Sequence, residues 1–293
     1  MESKQAKVNA AHIDSVLQLE NITLVCVESR FLELAEWSLK KSLQQIKPKK
    51  TYLFTSPQSA SSRVDPRITL VSLAEYGSIE AYNRFILREL HRYIETDYVL
   101  ITQWDSFVYE SDLWSSQFLE CDYIGAPWPH HPDFPVGNGG FSLRSRRLLQ
   151  ITAELDFLVR SFKEPEDAII CHSNRDYLKG RSIRIADLEL AARFSFESAA
   201  DNSDTKPRTF GFHGVWNFPR VLPLEDLKKI LILVPGTLLK KKNGYLFLVQ
   251  LLKLGQRRLF LTSLLRRIGA GGLNYETIKL AIQFFSKKRV SKN

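Results

Sequence analysis

Five short segments of the chain bring together residue types suited to chemistry on sugars and phosphates. Gln103-Trp104-Asp105 directly follows the apolar run Tyr98 to Thr102. An aspartate leaving a strand can hold a divalent ion and so neutralise a diphosphate, although it can equally cap a turn. Cys121 to Pro129 (CDYIGAPWP) leads past His130 and His131 into Val136 to Arg144 (VGNGGFSLR). Trp128 there could stack on a sugar face, while Asn138 and Ser142 offer short hydrogen-bonding groups. Gly139 and Gly140 permit close approach of a ligand or a positive φ, and a plain structural turn is the competing reading. Adjacent histidines in extended backbone point apart, so His130 and His131 make a poor ligand pair. Glu164-Pro165-Glu166-Asp167 opens the apolar run Ala168 to Cys171. Glu166 and Asp167 can serve as helix-start charges, or one of them can take a proton from an attacking hydroxyl. Phe210 to Trp216 (FGFHGVW) sets His213 in an aromatic context, as a structural imidazole or as a metal ligand beside carboxylate and phosphate oxygens.

The elements that must position these residues follow from apolar patterning. Asn21 to Val27, Thr51 to Thr55, Ile68 to Leu73 and Tyr98 to Thr102 read as short buried strands, and Gly140 to Leu143 as a further one. Phe31 to Gln45 and Ile79 to Tyr93 carry helical spacing between them. The alternation predicts an α/β fold whose mostly parallel sheet is covered by helices on both faces. Ligands of such sheets collect at the carboxyl ends of strands, which is where Asp105 falls. No P-loop or dinucleotide fingerprint occurs, because Gly137 to Gly140 (GNGG) lacks their spacing. Asp201 to Pro207 reads as a surface loop.

Charge divides the chain. The net +9 arises after Val221, where 15 Lys or Arg face 3 acidic residues; the first 220 residues hold 26 basic and 29 acidic ones. The expected organisation is an N-terminal extension over 1–20, a catalytic domain over 21–220 closing near Pro219 to Pro223, and a basic helical tail over 221–293. Apolar segments in the tail alternate with Lys240 to Lys242, Lys253, Arg257, Arg258, Arg266, Arg267 and Lys287 to Arg289. That pattern suits amphipathic helices on an anionic membrane surface; the alternative is a helical extension packed on the domain. Nothing resembles a nucleic-acid-binding module. Cys26, Cys121 and Cys171 are widely spaced and read as reduced, buried residues of a cytoplasmic protein. Met1 to Glu20 lacks a signal-peptide core, and no apolar run reaches membrane-spanning length. The expected location is therefore cytoplasmic, with the tail able to hold the protein peripherally on the inner face of the membrane.

In this order, IGAPW, VGNGGFSLR, PEDAII and FGFHG resemble an uncharacterised bacterial family described as glycosyltransferase-like, over roughly Asn21 to Phe218. The order also looks like metal-dependent nucleotide-sugar transferases with a GT-A fold, among which the inverting beta-1,4-galactosyltransferases are a mechanistic comparison. The resemblance implies a GT-A-like domain and transfer of a sugar, with a UDP-sugar the expected donor, to a glycan or lipid-linked glycan of a polysaccharide pathway. It implies Asp105 and His213 as ligands of Mn²⁺ or Mg²⁺, and Gly139, Gly140 and Phe141 as a wall against donor sugar and acceptor. It implies Asp167 or Glu166 as the base of an inverting displacement, Asp167 being favoured. The pattern departs at Gln103, which stands where an Asp-x-Asp motif has its first acid. Gln103 can still bond a ribose or a metal-bound water. A metal-independent site would instead use Arg30, Arg84 or Arg88 on the phosphates. Two other functions stay open: a catalytically inactive glycan-binding or assembly protein, and a sugar nucleotidyltransferase. The latter would normally carry a glycine-rich basic loop where this chain has Glu28-Ser29-Arg30.

Overall fold

Alternation along the first strand builds both faces of the sheet. In β1 (Leu17–Val27) every residue from Ile22 onward is buried. Ile22, Leu24 and Cys26 join a core with Ala35, Leu39 and Leu43 of the helix Leu32–Gln45. Val25 and Val27 point the other way, into Phe85, Ile86, Leu90 and Leu149. Helices therefore cover both faces, as the period-2 pattern of a doubly buried strand requires. The structure, a computed structural model, describes residues 16–59, 63–129, 131–154, 162–198 and 208–286. His130, most of the 1–20 extension, the loop Asp201 to Pro207 and Lys287 to Arg289 lie outside the described residues.

The remaining strands are β2 (Ile46–Thr55), β3 (Thr69–Ser72), β4 (Tyr98–Thr102), β5 (Ser106–Val108), β6 (Tyr123–Ile124), β7 (Phe141–Ser145), β8 (Ser195–Phe196) and β9 (Gly211–His213). The main sheet runs β3-β2-β1-β4-β7-β6. Pairings among β1 to β4 are parallel, and β7 pairs antiparallel with β4 and β6. A small second sheet, β5-β9-β8, is fed by the chain leaving β4. This is a mixed α/β fold with a mainly parallel central sheet.

Three elements differ from their expected form: β1 starts at Leu17, four residues before the expected Asn21 and within the expected 1–20 extension. β2 starts at Ile46, directly at the end of the preceding helix, and its pairing with β1 shifts between Leu19 and Thr23, opposite Pro48. Proline cannot donate to the ladder there. The stretch Ile79 to Tyr93 has the expected extent but passes from α (Ile79–Arg84) through π (Phe85–Glu89) to 3₁₀ (Leu90–Tyr93). Such π segments recur near functional sites.

The basic tail forms the helices Leu224–Leu233, Gly236–Lys240, Lys242–Lys253, Arg257–Gly269 and Tyr275–Ser286. Their inner faces share one core with Leu34, Phe107, Phe212 and Phe218, so these helices pack on the α/β unit. Arg267, almost fully buried, ties the last two helices to the Gly236–Lys240 segment by donating to the Leu239 and Lys241 carbonyls and, at 2.8 Å, to Thr277 Oγ1. No helix among the described residues is long and apolar enough to cross a membrane.

Candidate functional site

The parallel neighbours β1 and β4 end side by side, delivering Glu28 and Gln103 to the carboxyl edge of the sheet. A cavity of about 210 Å³ opens there, lined by Glu28, Arg30, Tyr76, Tyr82, Gln103 and Trp104 among others. Glu28 turns its Oε1 to the backbone N–H of Arg30 at 2.7 Å, fixing the turn into the next helix. Gln103 Nε2 donates to the Tyr82 hydroxyl at 3.2 Å. Burial pushes the Tyr82 phenol pKa up, with Glu166 adding to the effect, so the hydroxyl keeps its proton. Of the three arginines considered for phosphate, only Arg30 lines the cavity. Arg84 pairs with Glu75 at 3.3 Å and lies over the Phe162 ring, and Arg88 donates to the Ala153 carbonyl at 2.8 Å.

Beyond Gln103 the chain turns, and Asp105 meets His213 at the end of β9. Asp105 is buried, with Oδ2 accepting from Val215 N–H at 3.1 Å and Oδ1 standing 3.5 Å from His213 Nε2. The other ring nitrogen, Nδ1, lies 3.1 Å from Glu197 Oε1. Trp216 Nε1 and Asn217 Nδ2 both donate to the Glu197 backbone carbonyl, at 3.0 and 2.8 Å, which fixes the backbone that carries this acid. Burial works against charge on the imidazole, but Asp105 and then Glu197 outweigh it and raise the His213 pKa to about 10. Glu197 is absent from the sequence expectations; the acid ending the alternating run Phe194 to Phe196 is its only local signal.

The glycine segment lies between these groups. Gly140 carbonyl accepts from Gln103 N–H at 3.0 Å, and a Cβ on Gly140 would stand 2.3 Å from His213 Nε2. Gly139 N–H donates to Asp167 Oδ2 at 2.8 Å, and a Cβ on Gly139 would stand 1.9 Å from Glu166 Oε1. Both glycines are therefore required by close approach of a side chain. Asn138 adopts φ 69°, and its Oδ1 accepts from Gly140 N–H at 2.9 Å, which shapes the turn, while its buried Nδ2 has no hydrogen-bond partner among the described residues. Phe141 is fully buried with Phe194 and Phe210, on the core side of β7, and cannot touch a sugar. Ser142 is likewise buried and accepts from Arg144 Nε at 3.0 Å.

Glu166 and Asp167 separate into distinct roles. Both Glu166 oxygens accept from Arg144, at 2.6 and 2.8 Å, and both residues are buried. Burial opposes the Arg144 charge, yet Glu166 outweighs it and raises the Arg144 pKa, keeping the guanidinium charged. With both oxygens engaged, Glu166 is unavailable to a substrate hydroxyl. Asn83, a buried residue missed by sequence reasoning, donates to the carbonyls of Phe162 and Glu164 at 2.7 and 2.9 Å. That clamps the loop carrying the acidic pair. Asp167 faces a second cavity of about 520 Å³, lined also by Trp128, His172, Glu197, Trp216 and Lys242. Cys26, Cys121 and Cys171 are buried free thiols whose pKa burial raises, so none is a ready nucleophile.

No curated protein matches the sequence. Among solved structures, one similar to this chain is the crystal structure of a glycosyltransferase involved in the glycosylation of the major capsid of PBCV-1. It has 12% identity and a TM-score of 0.42, over 66% of this chain and 92% of that one. A family model matches residues 67–213, which include β3, β4, the glycine segment, the acidic pair and His213. On that match the chain belongs to the family described as Protein of unknown function (DUF5672).

Proposed function

We propose that the protein is a glycosyltransferase of GT-A-like architecture, moving a sugar from a nucleotide-sugar donor to a glycan or lipid-linked glycan. One observation carries the reading: a continuous chain of contacts joins the two cavities. It runs from Gln103 at the first cavity to the Gly140 carbonyl, along the backbone to Gly139, and from Gly139 N–H to Asp167 at the second. A donor in the first cavity and an acceptor in the second would lie on either side of this connection.

In this reading Tyr76, Tyr82 and Trp104 flank the nucleoside and Arg30 faces the phosphates. Trp128 and Trp216 offer flat apolar faces to the acceptor. Asp167 takes the proton from the acceptor hydroxyl as that oxygen bonds to the anomeric carbon, and the bond from that carbon to the diphosphate breaks. A single displacement inverts the anomeric configuration. Glu166 and Arg144 position Asp167 and do not touch substrate.

Asp105 and His213 fit a divalent ion such as Mn²⁺ or Mg²⁺, which would take the place of the proton that the two carboxylates hold on the imidazole. Glu197 on Nδ1 aims Nε2 at Asp105 Oδ1, in the carboxylate–histidine order typical of metal ligands. Among the described residues no group of three acidic, histidine or cysteine side chains forms a complete cage, so diphosphate oxygens would finish the coordination. The ion would neutralise charge on the departing diphosphate.

The test is thermal stabilisation by UDP and other nucleoside diphosphates with and without Mn²⁺, followed by sugar release from the donor that stabilises best. The reading expects a metal-dependent rise that Asp105→Ala erases. Absence of stabilisation by every nucleotide, in folded protein, would sink it.

A further inference from the structure

The last two helices each bury one apolar stripe and expose another. In Arg257–Gly269, Phe260 and Leu264 face the core while Leu261 and Leu265 face out. In Tyr275–Ser286, Leu280 and Phe284 face the core while Ile278, Ile282 and Phe285 face out, Ile282 at 63% exposure. Leu273, in the turn between them, is 62% exposed. Leu273, Ile278, Ile282 and Phe285 join the half-buried Ile268 and Ala281 along an open groove of about 490 Å³. An ordinary core-packing helix needs only the inner stripe.

Cations fringe this strip. Arg258 lies one turn from Leu261 on the same helix face, and Lys279 one turn from Ile282. Lys240 reaches the turn between the two helices, its Nζ 3.6 Å from where a Cβ on Gly271 would stand. Among the described residues, none of these three forms an ion pair with a carboxylate. By contrast, Arg266 and Arg267 turn inward onto carbonyls of the preceding helices. Glu276 is the single acid in the two helices. The outward face is therefore apolar along its centre and positive at its margin, the complement of an anionic lipid surface.

We propose that the helix pair Arg257–Gly269 and Tyr275–Ser286 docks the protein on anionic lipid, with Leu265, Leu273, Ile278, Ile282 and Phe285 entering the acyl boundary. Arg258, Lys279 and Lys240 face the headgroups. This docking is independent of the transfer reaction.

Flotation of the full chain with phosphatidylcholine vesicles, with and without phosphatidylglycerol, tests it. Binding is expected only to the anionic vesicles and should fall as salt rises. Ile278→Glu/Ile282→Glu should lower the bound fraction about tenfold or more by removing apolar insertion. Arg258→Glu/Lys279→Glu should do the same by reversing the fringe. Both doubles replace exposed side chains, so melting curves close to the parent's should accompany the loss. Equal binding to neutral vesicles, or retention of binding by both variants, would overturn the proposal. So would a concentration-dependent dimer abolished by Ile278→Glu/Ile282→Glu, which would make the groove an interface between copies of this chain.

Discussion

Arg144 and Glu166 meet through two parallel hydrogen bonds, 2.6 and 2.8 Å long, in a setting where neither side chain reaches water. Removing one partner strands a buried charge, so Arg144→Met should destabilise the fold by about 3–5 kcal/mol. Combining it with Glu166→Gln should recover part of that loss. Urea unfolding of the two variants decides this; equal stability of single and double would show that the pair is not coupled.

Asp167 is held differently, on the backbone N–H groups of Gly139 and Ala168 at 2.8 and 2.9 Å. An amide keeps one acceptor in that place, so Asp167→Asn should cost about 1 kcal/mol of stability. Transfer should fall by about 10²–10⁴-fold if the carboxylate is the base. Near-parental turnover in a correctly folded Asn variant would remove Asp167 from that role.

Gly140→Ala would drive a methyl group to within 2.3 Å of His213 Nε2, an atom on a ring already held from its other side by Glu197. The expected result is a loss of about 1–3 kcal/mol from overpacking. Mn²⁺-dependent stabilisation by nucleotide should disappear with it, since His213 must leave Asp105. Differential scanning fluorimetry reads both effects in one experiment.

A pH signature is expected at Asp65. Its hydrogen bond with Arg67 lowers the carboxyl pKa from 3.8 to about 2. A folded-state pKa below the unfolded value adds stability that is present above about pH 4 and fades as pH falls toward 2. Because Arg67 is half exposed, solvent screening leaves about 1 kcal/mol of this. Asp65→Asn should flatten the acid limb of the stability curve by that amount and leave stability at neutral pH lower.

The strands were legible because they are runs of β-branched and apolar residues buried on both sides, and Tyr98 to Thr102 was bounded to the residue. Asp105 was placed by the strand it follows, while Asp167 lies in the short helix Glu166–Ala168 and His213 ends β9. Glu197, Asn83 and Arg144 were not legible, since their importance comes from partners 16, 83 and 22 residues away. The side on which Phe141 lies was not legible, for a related reason. A glycine-rich segment next to an aromatic looks like a ligand wall, but which side of β7 faces the core is decided by the register with β4, where Phe141 opposes Thr102. The tail's charge was plain in composition. Its inward-facing arginines were not, because local spacing cannot tell a carbonyl-bound guanidinium from a solvated one.

The helix Lys242–Lys253 supplies Lys242, Asn243 and Leu246 to the same cavity that Asp167 faces. These residues lie beyond the segment that defines the family, which ends at His213. The cavity thus has one wall within the matched segment and another supplied by the chain beyond it. A fragment cut at Pro223 would leave Phe212 and Phe218 uncovered and the cavity without that flank. Replacing only the helix Lys242–Lys253 would re-cut that flank of the cavity while leaving the contact between Asp105 and His213 in place.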